Sequence, residues 1–236
     1  MSMLHDVYDR VDAVTEAGRL PVVVFDLDST LFDTAARNHR ILREFAEHHG
    51  DPALLAGVAG LALTDFGWDL MDPLRARGFD SPDLHGTLRE YWAARFFTDA
   101  YVLEDHASAG APEFVTGCYE RGAFIYYLTG RHVGGMESGT QAALLRRGFP
   151  ALRGRVALHL KPAAHLDDRA FKDTAIAEIR SLRGTVIATF ENEPGNANMF
   201  RAAFPDALTF LVGSVHAPRP EPAHPAVLRI VDFHLG

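Results

Sequence analysis

Two carboxylates one residue apart close an apolar run in this chain, Val22-Val23-Val24-Phe25-Asp26-Leu27-Asp28-Ser29-Thr30-Leu31-Phe32. Four consecutive β-formers read as a strand covered on both faces, the usual situation in parallel α/β sheets, where ligands bind outside the carboxyl ends of the strands. Asp26 and Asp28 therefore stand where a small-molecule site is expected, and their chemistry is that of acids turned on a bound ligand. Ending a strand or capping a helix would explain one aspartate. Neither use requires a second acid, a Ser-Thr pair and a resumed apolar patch within the same few positions.

The elements around this run can be read from spacing. Leu4, Val7, Val11 and Val14 recur at helical intervals, and Gly18 and Pro21 stop that helix before the first strand. From 35 to about 111 the apolar pattern is helical, with no second buried-strand run, so this segment reads as an insertion. The core pattern resumes at 123–128, which ends in Thr129-Gly130-Arg131, followed by a helix through 140–147. Strands are expected at 156–160, at 185–190 reaching Glu191, and at 207–212, with a helix over 171–182. Pro218, Pro220, Pro222 and Pro225 mark an extended surface segment before a last apolar strand at 227–233.

Repeated βα units imply a parallel sheet with right-handed crossovers. The fold class is thus α/β, a doubly wound, Rossmann-like core of residues 1–33 and 113–236, with a mainly α-helical cap inserted at 34–112.

Composition narrows the function classes. The 236 residues suffice for one sizeable core plus an accessory unit, and 47% apolar with 23% charged residues is the range of a globular chain. A net charge of −8 leaves no basic footprint for a polyanion, so no nucleic-acid partner is expected. Cys118 is the single cysteine, which excludes an intramolecular disulfide framework. The amino terminus lacks the basic and apolar regions of a signal peptide, and no apolar run approaches the ~18 residues of a membrane span. The expectation is a cytoplasmic protein without a membrane partner, its oligomeric state unspecified.

The run from Val22 to Phe32, with Leu31-Phe32-Asp33 closing it, resembles the Asp-x-Asp-x-Thr signature of the haloacid dehalogenase superfamily, in its phosphatase branch with a helical cap after the first motif. The resemblance implies that Asp26 is the nucleophile that accepts a phosphoryl group and forms an aspartyl phosphate later hydrolysed by water. A divalent metal, Mg²⁺, lowers the cost of bringing two anions together. Asp28 matches the general acid/base, which favours a phosphatase or phosphomutase over the halide-removing and ion-pumping branches. Thr129 resembles the residue that hydrogen-bonds a phosphoryl oxygen, with Gly130 and Arg131 beside it as further phosphate contacts.

The family's charge-balancing lysine has two claimants. Lys172, opening a helix, fits one branch and is preferred narrowly; Lys161, followed by Pro162, copies another and is kept as a phosphate contact. The implied metal set is Asp26, Asp28, Glu191 and Asn192, a departure from the family, which places Asp residues in the final motif. The implied function is Mg²⁺-dependent hydrolysis of a small phosphorylated metabolite. Its rivals are a phosphotransferase or mutase with the same intermediate, and a non-catalytic phosphate-binding protein. Trp68, Tyr91, Trp92, Phe96 and Phe97 build helical core, and those facing the cleft are candidates for substrate selection.

Overall fold

The computed structural model describes residues 2–236; residue 1, included in the core range above, lies outside the described residues. Helix α1 (Met3–Glu16) leads into strand β1 (Pro21–Phe25), and β2 (Phe32–Asp33) follows the carboxylate loop. The insertion holds α2 (Ala35–His49), α3 (Pro52–Ala59), a 3-10 turn (Leu63–Asp65), α4 (Asp72–Arg75), α5 (Pro82–Phe96) and α6 (Asp99–Val102). Then come β3 (His106–Ala107), α7 (Ala111–Glu120), β4 (Phe124–His132), α8 (Val133–Arg146), β5 (Val156–Lys161) and α9 (Asp168–Ser181). The chain finishes with β6 (Thr185–Glu191), α10 (Pro194–Ala203), β7 (Leu208–Val212) and β8 (Leu228–Ile230).

Six strands form one parallel sheet in the order β5-β4-β1-β6-β7-β8, the α/β doubly wound architecture expected from the alternating elements. Strand β1 is central and buried along its whole length. Its alternate residues serve two cores: Val23 and Phe25 pack with α1, α7 and α8, whereas Val22 and Val24 pack with α9 and α10. Phe25, Phe190 and Phe210 stack in one row across β1, β6 and β7, with centroids 4.8 and 4.6 Å apart. Offset stacks of this kind add about 0.5–1.5 kcal/mol each beyond the area they bury. The row anchors the strand ends that carry Asp26 and Glu191.

The insertion has its own apolar cluster, in which Leu42 and Phe45 of α2 meet Leu54 and Val58 of α3 and Leu88 of α5. Each such side chain contributes about 1.5–3 kcal/mol on burial. A two-residue antiparallel pair, β2 with β3, clamps the two chain crossings between insertion and sheet. This pair was not anticipated, since two residues carry no periodic signal. At the far side of the insertion, a Cβ on Gly139 of α8 would stand 2.4 Å from the Asp99 carbonyl oxygen. Glycine is what lets α6 dock there, and the Gly139 amide donates to Asp99 Oδ1 at 2.6 Å.

Three elements differ from the expected pattern. Strand β4 continues through Thr129, Gly130 and Arg131 to His132, with a register shift between Thr129 and His132, because β5 keeps pairing beyond the apolar run. Helix α10 is additional to the expected elements: Pro194 opens it, since proline is favoured in the first helical turn, where its missing N–H costs nothing. Strand β8 is only three residues long. The segment from 213 to 227 is irregular, as its prolines imply.

Candidate active site

Asp26 emerges from the carboxyl end of β1, its amide donating to the Phe190 carbonyl at 3.0 Å, and its side chain is buried. The loop that follows turns sharply: Ser29 adopts φ +58°, and its amide donates to the Phe32 carbonyl at 2.7 Å. This turn brings the Thr30 hydroxyl back to Asp26 Oδ2, to which it donates at 2.8 Å. The other Asp26 oxygen accepts from Lys172 Nζ at 2.6 Å. Lys172 lies on the buried face of α9 with Phe171, Ala175, Ile176 and Ile179, a helical repeat that aims it at the strand ends.

Lys172 also donates to Glu191 Oε1 at 2.6 Å, so one buried ammonium serves two buried carboxylates. Burial pushes both acids up, against the pull of Lys172, and Glu191 rises to about 7. Burial opposes the charge on Lys172 as well, but Asp26 and Glu191 outweigh it and hold the ammonium protonated. With all three ionised, the group carries one excess negative charge. Of the two candidate lysines, Lys172 is the one that reaches Asp26.

Asn192 follows Glu191 directly. Its Nδ2 donates to the Val215 carbonyl at 2.7 Å, which turns Oδ1 toward Thr30 Oγ1, 3.4 Å away. Asp26 Oδ2 and Asn192 Oδ1 thus flank one hydroxyl. Two hard oxygens beside an excess negative charge fit a small hard cation that keeps most of its water. The donor set is thin, since no group of three or more His, Cys, Asp or Glu side chains is arranged to hold a metal among the described residues. Glu191, expected as a ligand, spends its Oε1 on Lys172.

Asp28 is held differently. Its Oδ1 accepts from Arg37 at 2.8 Å and from Arg131 at 2.7 Å, and Arg131 Nε lies 3.1 and 3.2 Å from its two oxygens. Both arginines also bind Asp105, Arg37 Nε at 2.8 Å and Arg131 at 2.7 Å. Two arginines and two aspartates make a neutral cluster, with Arg37, Arg131 and Asp105 fully buried and the Asp28 side chain 34% exposed. Burial opposes the charge on Asp28, but Arg131 and Arg37 outweigh it and hold the carboxyl well below the usual range. The ionised, proton-accepting form is the resting one.

Arg37 and Asp105 had been overlooked: in a linear reading each is one more charged residue in the insertion or its exit. Arg131, expected as a phosphate contact, turns its guanidinium to Asp28, Asp105 and Thr140 instead. Lys161 pairs with Asp168 and does not reach Asp26. Thr129 is buried, and its oxygen accepts from the Arg131 amide at 3.2 Å. Gly130 lines the cleft, where a Cβ would sit 2.5 Å from Asp168 Oδ2, so the glycine leaves room for that carboxylate in its present position.

These groups open into a cleft of about 950 Å³ between sheet and insertion. Asp26, Asp28, Lys172 and Asn192 line its floor, Trp68, Trp92 and Phe97 the insertion side. The third wall is the proline-rich segment, tied down by Ser214 on the Ser29 carbonyl, by the Ala217 amide on Glu193 Oε1 at 2.8 Å, and by Asn198 Nδ2 on the Pro222 carbonyl at 2.9 Å. Pro218 and Pro220 line the cleft.

This arrangement of a parallel sheet and flanking helices has counterparts among solved structures. The fold is that of the haloacid dehalogenase-like hydrolases. A subfamily IA hydrolase of this superfamily from Geobacter sulfurreducens superposes with a TM-score of 0.56 at 13% identity, over 91% of this chain and 93% of that one. A Clostridium difficile protein described as a candidate phosphatase gives 0.54 at 14% identity, over 90% and 94%. The Mycobacterium tuberculosis protein tyrosine kinase A gives 0.51 at 17% identity, over 89% and 93%. No family model matches the chain, and no curated protein is similar enough in sequence to count as a relative. No helix is long and apolar enough to cross a membrane among the described residues.

Proposed function

We propose that this haloacid dehalogenase-like chain is a Mg²⁺-dependent phosphomonoester hydrolase working through an aspartyl phosphate on Asp26. The observation that carries this reading is the Asp26 carboxylate at the cleft floor, fixed on one oxygen by Lys172 and on the other by Thr30. A carboxylate so held keeps one geometry toward an incoming phosphorus, and orientation of this kind lowers the barrier to in-line attack. Lys172 offsets charge on the nucleophile as the phosphoryl group arrives.

Asp26 and Asn192 would hold Mg²⁺, which supplies charge neutralisation for the phosphoryl oxygens. Asp28, oriented by Arg131 and Arg37, would accept the proton of the water that cleaves the aspartyl phosphate. Gly130, which lines the cleft on the adjacent strand, would offer its amide to the phosphate, with the buried Thr129 behind it fixing the Arg131 amide. Residues 34–112 act as the cap that covers the cleft, and residues 1–33 and 113–236 as the catalytic core.

Mg²⁺-dependent release of phosphate from a panel of monoesters tests the assignment. Release is expected from the native chain and lost in Asp26→Asn with the circular-dichroism signal retained; full activity in that variant would overturn it. A phosphotransferase with the same intermediate is the second reading, favoured by the likeness to a tyrosine kinase. Added alcohol acceptors would then yield new phosphate esters in place of free phosphate.

A further inference from the structure

One cation lining the cleft has no hydrogen-bond or ion-pair partner among the described residues. Around it, Lys172 is held by Asp26 and Glu191, Arg131 by Asp28 and Asp105, and Arg169 by Glu221. Asp69 is paired with Arg75 at 2.7 Å and feels Arg89 only as its weakest charge neighbour. Arg89, exposed at the middle of α5 and lining the cleft, makes no hydrogen bond or ion pair among the described residues. The same cleft is lined by rings left open to it. Trp68 is 57% exposed and Phe97 40%, although both border a concave site where solvent contact of that size is unfavourable. Behind Phe97, Trp92 and Phe96 stack at 4.5 Å, with Trp92 Nε1 fixed on Asn38 Oδ1 at 2.9 Å, so this wall is rigid.

We propose that the cleft selects an organic phosphate whose alcohol part is a flat aromatic body bearing a single carboxylate, the ring against Trp68 and Phe97 and the carboxylate on Arg89. This rests on the hydrolase reading above. The volume of about 950 Å³ exceeds what a three-carbon phosphate fills and matches the upper range of pockets for drug-sized ligands. Exposed indole and phenyl faces favour another ring over a polyol, because polyol hydroxyls would lose water without finding partners. One unpaired guanidinium matches one carboxylate, which it can hold through two parallel N–H donors.

The test compares three esters with similar alkoxide leaving groups: 4-carboxybenzyl phosphate, benzyl phosphate and glycerol 1-phosphate, all with Mg²⁺. The native chain is expected to prefer benzyl over glycerol phosphate, and 4-carboxybenzyl over benzyl, each by about tenfold in kcat/KM, the scale of one ring contact and one charge-assisted pair. Arg89→Gln should bring the second ratio close to one, and Arg89→Glu should shift preference to 4-(aminomethyl)benzyl phosphate. Trp68→Ala should lower the first ratio. Equal rates on benzyl and 4-carboxybenzyl phosphate, or a second ratio untouched by Arg89→Gln, overturns the proposal. If no ester is hydrolysed, the hydrolase reading fails by itself, and binding of 4-carboxybenzylphosphonate decides this one. Both tryptophans line the cleft, so their quenching reports it. Quenching that weakens at least about tenfold in Arg89→Gln supports the proposal, and quenching indifferent to that change ends it.

Discussion

Lys172 Nζ stands 2.6 Å from Asp26 Oδ1 across 146 residues of sequence, and the same ammonium holds Glu191 Oε1. One buried cation between two buried acids is a site set for reaction at the expense of stability, because the second carboxylate has lost its water for half a partner.

Removing either side of this contact should have opposite effects. Lys172→Met leaves two uncompensated acids and is expected to cost about 3–5 kcal/mol in urea unfolding and to abolish phosphate release. Asp26→Asn relieves the excess charge, so it should abolish release while the unfolding midpoint holds or rises. A stability loss of more than about 1 kcal/mol in Asp26→Asn would show instead that the Asp26–Lys172 pair stabilises the fold and that the group carries no excess charge to relieve.

The Arg37–Asp105 contact spans 68 residues and joins the first insertion helix to the return crossing, both side chains fully buried. Arg37→Met leaves Asp105 and Asp28 to share Arg131 alone, with one uncompensated negative charge, and should lower stability by about 3–5 kcal/mol. Adding Asp105→Leu should restore at least half of that loss, since a buried pair replaced as a unit is far less costly than one broken. Additive losses in the double variant would show that the two do not act as a pair.

Asn192 offers a neutral oxygen where a carboxylate would bind Mg²⁺ more tightly. Asn192→Asp should lower the Mg²⁺ concentration for half-maximal activity by about tenfold, and Asn192→Ala should raise it, each read from a metal titration at fixed substrate. The Asp variant gives up the amide bond to the Val215 carbonyl, so it should also loosen the 213–227 segment. Faster proteolysis of that segment is the accompanying readout.

Cys118 is fully buried in α7, and burial pushes its thiol up. A disulfide reagent at pH 8 should therefore modify it at least a hundredfold more slowly than a free thiol, on the scale of global opening, and at full rate in denaturant. Rapid labelling of the folded chain would contradict this packing.

Much of the frame can be read without the structure. Val22 to Phe25 announces a central strand because parallel strands are buried on both faces and need no polar alternation, and the βα order then dictates a doubly wound sheet. Asp26 at the end of that strand is marked by the same logic. Lys172 is preferred from the sequence only narrowly, because Lys161 ends β5 at the same edge of the sheet. Helix phase decides it: Lys172 shares a buried face with Phe171 and Ala175, whereas Lys161 falls to Asp168.

Other parts were illegible for a physical reason. A buried arginine looks like a solvated one until its partners are known, and Arg37 finds Asp105 and Asp28 only after the insertion folds back. The orientation of Asn192 depends on Val215, and the third cleft wall on a segment whose prolines foretell extension but not direction. Local patterns determine which strands and helices form, because period and propensity act over a few residues. Which charges meet in the interior was decided by tertiary packing, where desolvation makes every unpaired group costly enough to select one arrangement.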